Sequence, residues 1–588
     1  MIREDIKEII AKALADLQKT GALTSGDLPE IKIEHPEDLR LGDYATNIAL
    51  ILTKKEGKKA SEIAEVIASK IKAQNAKSIE KLEAVKGFIN FFISKNYLLR
   101  ELETITEEKE RYGAEKETKK RIVVEYSSPN IAKSFGIGHL RSTVIGQAIY
   151  NLYQFLGWKC FGINHLGDWG TPHGKILYQI KEKKLKGKNE KEKEEILKNL
   201  TIEELERLYV DFHKDLAANP KLQDRAREWF KKLEQGDREA KEIWEYTKTI
   251  SLREFERLYD LLDVRIDSVW GESFYENMLK DVVEETKKKG IAKESQGALI
   301  IEYSENPDTG KLPPAMLVKS DGATTYFTRD LAAVRYRIRE FKPDILVYET
   351  GVEQTLHFRQ VFEAARMLGW VSGEKFVHVG HGLYRFEHGK FSTRSGETIH
   401  LEEVLREAIL RARKIIDASE TGRGLSEEEK EDVARAVGIG GVKYNDLSHN
   451  PSSDIIFDWD KILNLKGNSA PYIQYTYARC ASVLKKAGEK NNGEIKYKDF
   501  SLEELLILRL IVRFPEVARE AAETFSPNLL CNFVFDLAQA YNLFYASHRI
   551  GDAENNEAKK FRLLLTQGVA HVIKNCLGLL SIKTPERL

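Results

Sequence analysis

One segment constrains the fold more than any other, because strand-like and helix-like patterns alternate along it. The apolar run RIVVEY, which begins at Arg121, is followed by a turn-rich loop, a long helical pattern and a second apolar run, KCFGINHL. A strand, a loop, a helix and another strand form the unit of a parallel sheet with right-handed crossovers. The segment therefore predicts an α/β domain, and the later runs GALIIEY, DILVYET and KFVHVGHGLY are further strand candidates.

The length of the chain predicts several domains around this one. A single hydrophobic core rarely grows beyond about 250–300 residues, and this chain has 588. We expect an α+β domain over residues 1–117 and the α/β domain over 118–400. A charged, helix-patterned stretch at about 175–285 is most simply an exposed helical insertion in the α/β domain. Helical patterns then recur almost without strand signals, which predicts a helical region over 401–463 and an α-helical bundle over 464–588.

Composition excludes several classes of protein. The 92 basic and 92 acidic residues give a formal net charge of zero, so a polyanionic partner would have to bind a local basic patch. The four cysteines, Cys160, Cys480, Cys531 and Cys576, are too far apart in sequence for a zinc knuckle or a CxxC motif. We therefore expect no structural zinc and no other metal site in the protein. No apolar run approaches the roughly 20 residues of a membrane span, and charges interrupt the N-terminal helix pattern, so we expect a cytoplasmic protein without a membrane partner.

The loop from Ser127 to His139 is the first candidate site. It joins a predicted strand to a predicted helix N-terminus, where unpaired N–H groups and the helix dipole favour an anion. Two glycines allow a ligand to approach the backbone, and three basic side chains accompany them, which together predict a phosphate cradle: Gly136, Gly138, Lys133, His139 and Arg141. Glycine-rich turns between strands and helices also exist purely for packing, and that alternative stays open from the residues alone.

A second candidate loop lies between Gly389 and Gly396. It concentrates hydroxyls and cations in five residues, Lys390, Ser392, Thr393, Arg394 and Ser395. Such a polar, cationic loop is suited to closing over a polyphosphate. An ordinary solvent-exposed loop is the alternative.

The two loops together resemble the signatures of class I aminoacyl-tRNA synthetases. GIGH at 136–139 matches the His-x-Gly-His signature, and KFSTR at 390–394 matches the Lys-Met-Ser-Lys-Ser signature in degenerate form. The runs that narrow the resemblance to arginyl-tRNA synthetases, in the family's order and spacing, are GDYATN, EYSSPNIAKSFGIGHLRSTVIG, NHLGDWGT, YFTRDLA, GKFSTRSG and TPERL.

This resemblance implies a fold, an activity and a set of partners. The fold would be a Rossmann-type α/β catalytic domain with a helical insertion, an N-terminal α+β domain that contacts the D-loop and core of tRNA, a helical stem-contact region and an all-α anticodon-binding bundle. The activity would be ATP-dependent ligation of L-arginine to tRNA(Arg) through an arginyl-adenylate. ATP would enter with Mg²⁺, and the enzyme would act as a monomer.

Two departures from the family pattern bear on the expected catalytic residues. Gly136 stands where the first signature histidine is usual, and Thr393 stands where the second signature lysine is usual. The resemblance implies that Lys133 substitutes for that lysine. The implied catalytic residues are His139, Lys133, Lys390 and Arg394, and the implied ATP-binding residues are Gly136, Gly138, His139, Lys390, Ser392 and Thr393. The departures leave open a non-catalytic tRNA-binding paralogue. Another adenylyl-forming nucleotidyltransferase of the same superfamily is a separate alternative.

Arginine recognition is predicted from the chemistry of the guanidinium, a planar fork of donors that cannot be deprotonated. Tyr326 and Asp330 are four residues apart and share a face if the segment is helical. The resemblance places arginine recognition on these two residues, and it places the ammonium and carboxylate of arginine near Glu125, Asn130 and His139. Gln354 follows the predicted strand DILVYET, at the end where open α/β sheets bind ligands. Core packing is the alternative for Tyr326, and a surface ion pair with Arg329 or Arg335 is the alternative for Asp330.

Contacts with tRNA are predicted from aromatic side chains at helical spacing. Tyr472, Tyr475 and Arg479 lie at i, i+3 and i+7, so they share a helix face suited to stacking on unpaired bases. The alternative is an aromatic stripe in the core of the bundle. Tyr541 and Tyr545 form a similar aromatic pattern in the bundle. The resemblance adds Phe88 and Asn90 of GFINFF in the N-terminal domain, with strand packing as the alternative for Phe88.

Overall fold

The structure is a computed structural model, and it describes every residue except 25, 37, 75, 306–309, 387–398, 489–496 and 498. The N-terminal part is an α+β unit built around a three-stranded antiparallel sheet in the order β1-β3-β2. Its elements are α1 (Ile2–Lys19), β1 (Tyr44–Thr46), α2 (Ile48–Glu56), α3 (Ala60–Lys72), β2 (Ile79–Val85), β3 (Phe88–Ile93) and α4 (Lys95–Glu108).

A five-stranded parallel sheet forms the centre of the α/β part, as the sequence predicts. The run RIVVEY gives β4 (Arg121–Glu125), the helical pattern gives α5 (Gly138–Phe155), and KCFGINHL gives β5 (Lys159–Asn164). The runs DILVYET and KFVHVGHGLY give β10 (Ile345–Gly351) and β11 (Lys375–His381). With β6 (Ser268–Val269), the order is β11-β10-β4-β5-β6. The strand order reverses between β4 and β10, and open α/β sheets bind ligands at such a point.

The run GALIIEY gives a strand outside that sheet. It forms β8 (Ala298–Ile301), which lies between β7 (Ala292–Ser295) and β9 (Ala315–Val318) in a separate antiparallel sheet. Three helices complete this side of the α/β part: α11 (Leu279–Lys288), α12 (Tyr326–Phe341) and α13 (Thr355–Met367).

The charged stretch between β5 and β6 is helical, as predicted, but it is more than an exposed appendage. Its helices are α6 (Thr171–Ile180), α7 (Glu190–Asn199), α8 (Ile202–Ala218), α9 (Leu222–Glu234) and α10 (Arg238–Leu262). They enclose an apolar core that includes Leu205, Trp229 and Ile243. This core gives the insertion its own packing, and α10 returns the chain to the sheet.

The C-terminal part is helical, with a single short strand among its described elements. That strand, β13 (Ile455–Phe457), pairs with β12 (Tyr384–Phe386). The helices are α14 (Leu401–Ala418), α15 (Glu427–Leu447), α16 (Trp459–Ile462), α17 (Ala470–Ala487), α18 (Leu502–Glu523), α19 (Asn528–Ser547) and α20 (Asn556–Leu579). Within the described part of the chain, no helix combines the length and the apolar character that crossing a membrane requires.

The N-terminal unit docks on helix α18 through buried polar contacts. Glu516 accepts a hydrogen bond from the hydroxyl of Tyr44 at 2.8 Å, and Arg509 pairs with Asp43 at 2.6 Å. Asp43 and Tyr44 belong to the motif GDYATN, so this motif joins the first and last parts of the chain.

Candidate active site

The loop between β4 and α5 is held in a strained conformation at the carboxyl end of the parallel sheet. Ser127, Ser128 and Ala132 have φ values of 71°, 47° and 62°, a region that residues other than glycine rarely adopt. Side chains of neighbouring elements hold the backbone there. Asn164 Oδ1 accepts from Ser128 N at 3.1 Å, and Ser251 Oγ accepts from Ala132 N at 2.9 Å. Because Ser251 lies in α10, the insertion helps to shape this loop.

His139 lies in the first turn of α5, with its protonation state set by its surroundings. Its Nδ1 accepts from the backbone N–H of Gly136 at 3.1 Å, so a neutral ring carries its proton on Nε2. Burial, helped by the charges of Lys133 and His381, lowers the pKa of His139 to about 4. The ring is therefore neutral at physiological pH, and Nε2–H remains as a donor. Gly138 is exposed, and a Cβ there would meet nothing within 4 Å, so the helix N-terminus is open to a ligand.

The second candidate loop lies within 387–398, outside the described residues, and so do Lys390, Ser392, Thr393 and Arg394. The chain that follows it pairs directly with the first loop. Ile137 N donates to Ile399 O at 2.9 Å, and Leu401 N donates to Phe135 O at 2.8 Å. The described chain that starts at Ile399 is therefore held against the first loop by backbone hydrogen bonds.

Arg141 is not part of the phosphate cradle, and this corrects the prediction. It is 1% exposed and lies 3.4 Å from Asp446 of α15. Its guanidinium also donates to the carbonyls of Pro451 at 3.2 Å and Ser453 at 2.6 Å. These partners lie more than 300 residues away, so Arg141 joins α5 to the helical part.

Asp330 lies in α12 and faces inward to two histidines. Its Oδ2 lies 2.6 Å from Nε2 of His357, and its Oδ1 lies 3.9 Å from Nε2 of His165. Burial raises the pKa of Asp330, but the hydrogen bond and charge of His357, together with the charge of His165, outweigh burial and lower it. Asp330 is therefore a carboxylate suited to pairing with a cation.

The alternative explanations for Asp330 and Tyr326 do not hold. The two neighbouring arginines each pair with another carboxylate, Arg329 with Glu276 at 3.2 Å and Arg335 with Glu285 at 2.8 Å. Tyr326 is 57% exposed, so it is not a core residue. Its hydroxyl lies 3.5 Å from the place where a Cβ on Gly170 would stand, which puts it beside the first turn of α6.

Glu272 is a further carboxylate near these residues that the sequence analysis did not single out. Its Oε2 is buried without a hydrogen-bond partner among the described residues. Burial raises its pKa to about 8, with Asp330 and Asp168 contributing to the same effect and Arg329 opposing it. A buried, unpaired carboxyl group is costly unless a cationic ligand pairs with it.

Glu125 has a partner of its own in the interior of the sheet. It is 5% exposed and pairs with the fully buried Arg337, whose Nη2 lies 3.3 Å from Nδ1 of His165. Two further predicted residues are exposed near the ends of strands, Asn130 in the first loop and Gln354 just before α13. Both side chains are accessible to a small ligand.

Part of the predicted tRNA surface forms a group of stacked side chains. The guanidinium of Arg479 lies 4.9 Å from the ring centre of Tyr475 and 4.6 Å from that of Tyr545. Both tyrosines are 41% exposed, whereas Tyr472 is half-buried against Phe535. Tyr475, Arg479 and Tyr545 line a groove of about 540 Å³. Lys485, Lys486 and Arg587 also line it.

Two of the residues predicted to contact tRNA are buried, which corrects that prediction. Tyr541 is completely buried, and its hydroxyl donates to Thr566 of α20 at 3.3 Å. Asn90 is 4% exposed within β3. Neither side chain can contact a nucleotide in this conformation, whereas Phe88 is 37% exposed.

Comparisons with known proteins agree with this architecture along the whole chain. Three family models match, described as "Arginyl tRNA synthetase N terminal domain" over residues 4–93, "tRNA synthetases class I (R), catalytic domain" over 101–459 and "DALR anticodon binding domain" over 473–588. Arginine–tRNA ligases of Clostridium botulinum (strain 657 / Type Ba4) and Clostridioides difficile (strain 630) are 39% and 38% identical, over 99% and 100% of this chain and the whole of theirs. A solved arginyl-tRNA synthetase of Plasmodium falciparum, 28% identical, superposes with a TM-score of 0.83 and covers 100% of this chain and 99% of its own.

The parallel sheet, the loop ahead of α5 and the matched catalytic model define a class I aminoacyl-tRNA synthetase. The relatives that match the whole length of the chain are all specific for the same amino acid, arginine. The chain belongs to the arginyl-tRNA synthetase family. Nothing in these comparisons favours the non-catalytic or small-molecule alternatives.

Proposed function

We propose that this arginine–tRNA ligase forms arginyl-adenylate and pyrophosphate at the carboxyl ends of β4 and β10. The observation that carries the proposal is that this region contains both a basic and an acidic group of side chains. The N-terminus of α5 is open, and the charge of Lys133 acts on His139 in its first turn, whereas the charge of Asp330 acts on Glu272. A basic group suits a polyphosphate and an acidic group suits a guanidinium.

Asp330 pairs with the guanidinium of arginine, and Tyr326 adds a hydroxyl beside it. Glu272 supplies a second carboxylate that ionises when the cationic ligand arrives. Asn130 and Gln354 hold the amino and carboxylate end, a role that their exposure supports. A pocket built to pair a guanidinium rejects an analogue without that group by up to roughly 10⁵-fold.

Glu125 acts on the arginine site from a fixed position. Because it is paired with Arg337 in the sheet, its carboxylate is already positioned near the ammonium of the substrate and does not depend on that ammonium as its partner. Arg337 also contacts His165, which contacts Asp330, so the two carboxylates are connected through one chain of buried groups.

The phosphates of ATP lie over the first turn of α5. ATP enters as its Mg²⁺ complex, which is the substrate. His139 donates from Nε2 to the α-phosphate as charge develops during attack by the arginine carboxylate. Gly136 and Gly138 allow close approach, and Lys133 holds the leaving pyrophosphate. The second loop contributes Lys390, Ser392, Thr393 and Arg394 to the same phosphates.

A hydroxyl of the terminal adenosine of tRNA(Arg), the 2′-OH being favoured for this class, then attacks the acyl carbon of the adenylate and takes arginine, and AMP leaves. Tyr475, Arg479 and Tyr545 bind the anticodon loop, with Tyr472 at the edge of the patch, and their joint exposure supports this role. Phe88 contacts the D-loop.

The proposed division of the chain keeps the boundaries 1–117, 118–400, 401–463 and 464–588, with the roles that the family resemblance implies. We place the enzyme in the cytoplasm as a monomer. A single chain contains all of the groups proposed above, so the chemistry needs no residue from a second copy.

Lys133 provides the sharpest test of the phosphate site. Lys133→Ala should lower kcat for adenylate formation on the order of 10²-fold, as loss of a preorganised charge stabiliser does, with little change in KM for arginine. Lys133→Arg should rescue only in part, because an ammonium and a planar guanidinium meet phosphate differently. Rapid-quench measurement at saturating tRNA decides the point. A normal rate in the alanine variant would exclude Lys133 from the chemistry.

A further inference from the structure

Three basic side chains from separate parts of the catalytic region meet around one aromatic ring, that of Tyr209 in α8. Lys133 Nζ lies 4.8 Å from the ring centre, and Lys175 Nζ of α6 lies 5.7 Å from it. Lys175 Nζ also lies 5.8 Å from the ring centre of Phe212 and 3.3 Å from Nε2 of His213. We call Lys133, Lys175, Tyr209 and His213 the basic cluster.

No carboxylate neutralises the basic cluster within the described part of the chain. Other lysines of the insertion are paired, for example Lys184 with Glu204 at 2.8 Å and Lys183 with Asp215 at 3.0 Å. Neither Lys133 nor Lys175 has an ion pair with any described residue. The nearby Glu206 is engaged elsewhere, since it accepts from the hydroxyl of Ser134 at 2.5 Å.

The free protein bears an electrostatic cost for this arrangement. Burial and the charge of Lys133 lower the pKa of Lys175. Burial and the charges of Lys175 and Lys133 lower the pKa of His213. The tyrosine face attracts both ammonium groups without neutralising them, so a bound anion would relieve the mutual repulsion.

The location of the basic cluster indicates which anions can reach it. Lys133 belongs to the loop ahead of α5, and its charge is felt by His139 in the first turn of that helix. Ser134 of the first candidate loop and His400, which follows the second in sequence, both approach Glu206 of α8. The cluster therefore borders the region proposed for the phosphates of ATP, on the side of the insertion.

We propose that Lys175 and His213 extend the phosphate site onto the insertion and bind a phosphate oxyanion together with Lys133. Two sources of that group are compatible with the cluster: the pyrophosphate part of ATP, and a phosphodiester in the single-stranded 3′ end of tRNA. The proposal rests on the role given to Lys133 above. It adds a contact from α6 and α8, which the sequence analysis treated only as an exposed insertion.

The test compares Lys175→Met with Lys232→Met. Methionine keeps an unbranched apolar stem against Tyr209 and removes the charge. Lys232 is the matched control, because its ammonium also lies over an aromatic ring of the insertion, 4.6 Å from the centre of Trp229, and it is exposed. Lys175→Arg retains the positive charge and should keep part of the wild-type behaviour, as proposed for Lys133→Arg.

Two measurements separate the sources of the phosphate. If the ligand is pyrophosphate, Lys175→Met should raise KM for pyrophosphate in ATP exchange about tenfold at saturating tRNA, with an unchanged tRNA Kd. If it is a tRNA phosphodiester, the Kd for intact tRNA should rise and its salt slope should fall by about 0.7. In that case a tRNA that lacks its last three nucleotides should bind Lys175→Met and the wild-type enzyme with the same Kd.

Lys175→Met that matches Lys232→Met in both measurements would overturn the inference. If Lys133→Ala is impaired in the same assays, only the extension onto the insertion fails. If Lys133→Ala is also normal, the proposed phosphate site fails with it. Thermal melts of each variant establish that the comparison is made on folded protein.

Discussion

His357 holds Asp330 before any ligand binds, with 2.6 Å between Nε2 of the histidine and Oδ2 of the carboxylate. The contact raises the pKa of His357 against the effect of burial and helps to lower that of Asp330. The carboxylate is therefore positioned and ionised in advance, so arginine does not have to organise it.

The first prediction concerns Asp330. Asp330→Asn should raise KM for arginine about tenfold or more, because it removes a charge-assisted pair to the guanidinium. The Kd for tRNA should stay nearly unchanged. Glu340→Gln is a matched control, since it neutralises an exposed carboxylate near the other end of α12. If Asp330→Asn has the KM for arginine of the wild type, Asp330 does not pair with the guanidinium.

Glu272 predicts a pH dependence of arginine binding. Its pKa of about 8 means that most of the carboxyl is protonated at pH 7 in the free enzyme. Pairing with a guanidinium favours the ionised form, so arginine affinity should rise from pH 7 to pH 9 and binding should release a proton below pH 8. Calorimetry in buffers of different ionisation enthalpy measures that proton. Glu272→Gln should abolish the release, and an undiminished release would assign the proton to another group.

Lys443 predicts a pH dependence of stability. It is 1% exposed, it donates to the carbonyls of Leu262 and Ser581, and burial lowers its pKa to about 7, with Asp263 opposing and Lys583 reinforcing the shift. Between pH 7 and the unfolded value near 10.5, the unfolded chain binds more protons, so the free energy of unfolding should rise with pH. The slope from pH 7 to 9 should be smaller in Lys443→Met. Equal slopes by denaturant titration would show that Lys443 does not titrate in this range.

Tyr545 and Tyr541 predict opposite outcomes for tRNA binding although they are four residues apart. Tyr545→Ala should weaken tRNA about tenfold, because stacking on a base contributes about 1–3 kcal/mol. Tyr541→Phe should leave the tRNA Kd unchanged, since its buried hydroxyl contacts Thr566 and Cys480 in the interior of the bundle. Filter binding with tRNA(Arg) measures both. If Tyr545→Ala binds tRNA(Arg) with an unaltered Kd, Tyr545 does not contact the anticodon loop.

Local patterns predicted the parts of the fold that depend on neighbouring residues. The order of β4, α5 and β5 and the loop between them follow from short-range hydrophobic patterning and turn residues. The burial of Tyr541 does not follow from such patterns. Tyr541 and Tyr545 share a helical spacing, and that spacing cannot indicate that α20 covers only one of the two rings.

Contacts between distant segments explain what the sequence reading missed at the site. Arg141 was assigned to phosphate because it follows His139, yet its partner Asp446 belongs to another part of the fold. His357 follows Gln354 by three residues, and only the packing of α13 on α12 reveals that it holds Asp330.

The central proposal is that this enzyme activates arginine, and we further expect tRNA(Arg) to complete the active site. Its most direct test is exchange of labelled pyrophosphate into ATP, measured with each amino acid in turn, with and without tRNA(Arg). We predict exchange with arginine alone among the amino acids, and only when tRNA is present, because the signature pair is degenerate at Gly136 and Thr393. Exchange supported by another amino acid, or no exchange under any condition, would contradict the claim, and robust exchange with arginine in the absence of tRNA would contradict the role given to tRNA.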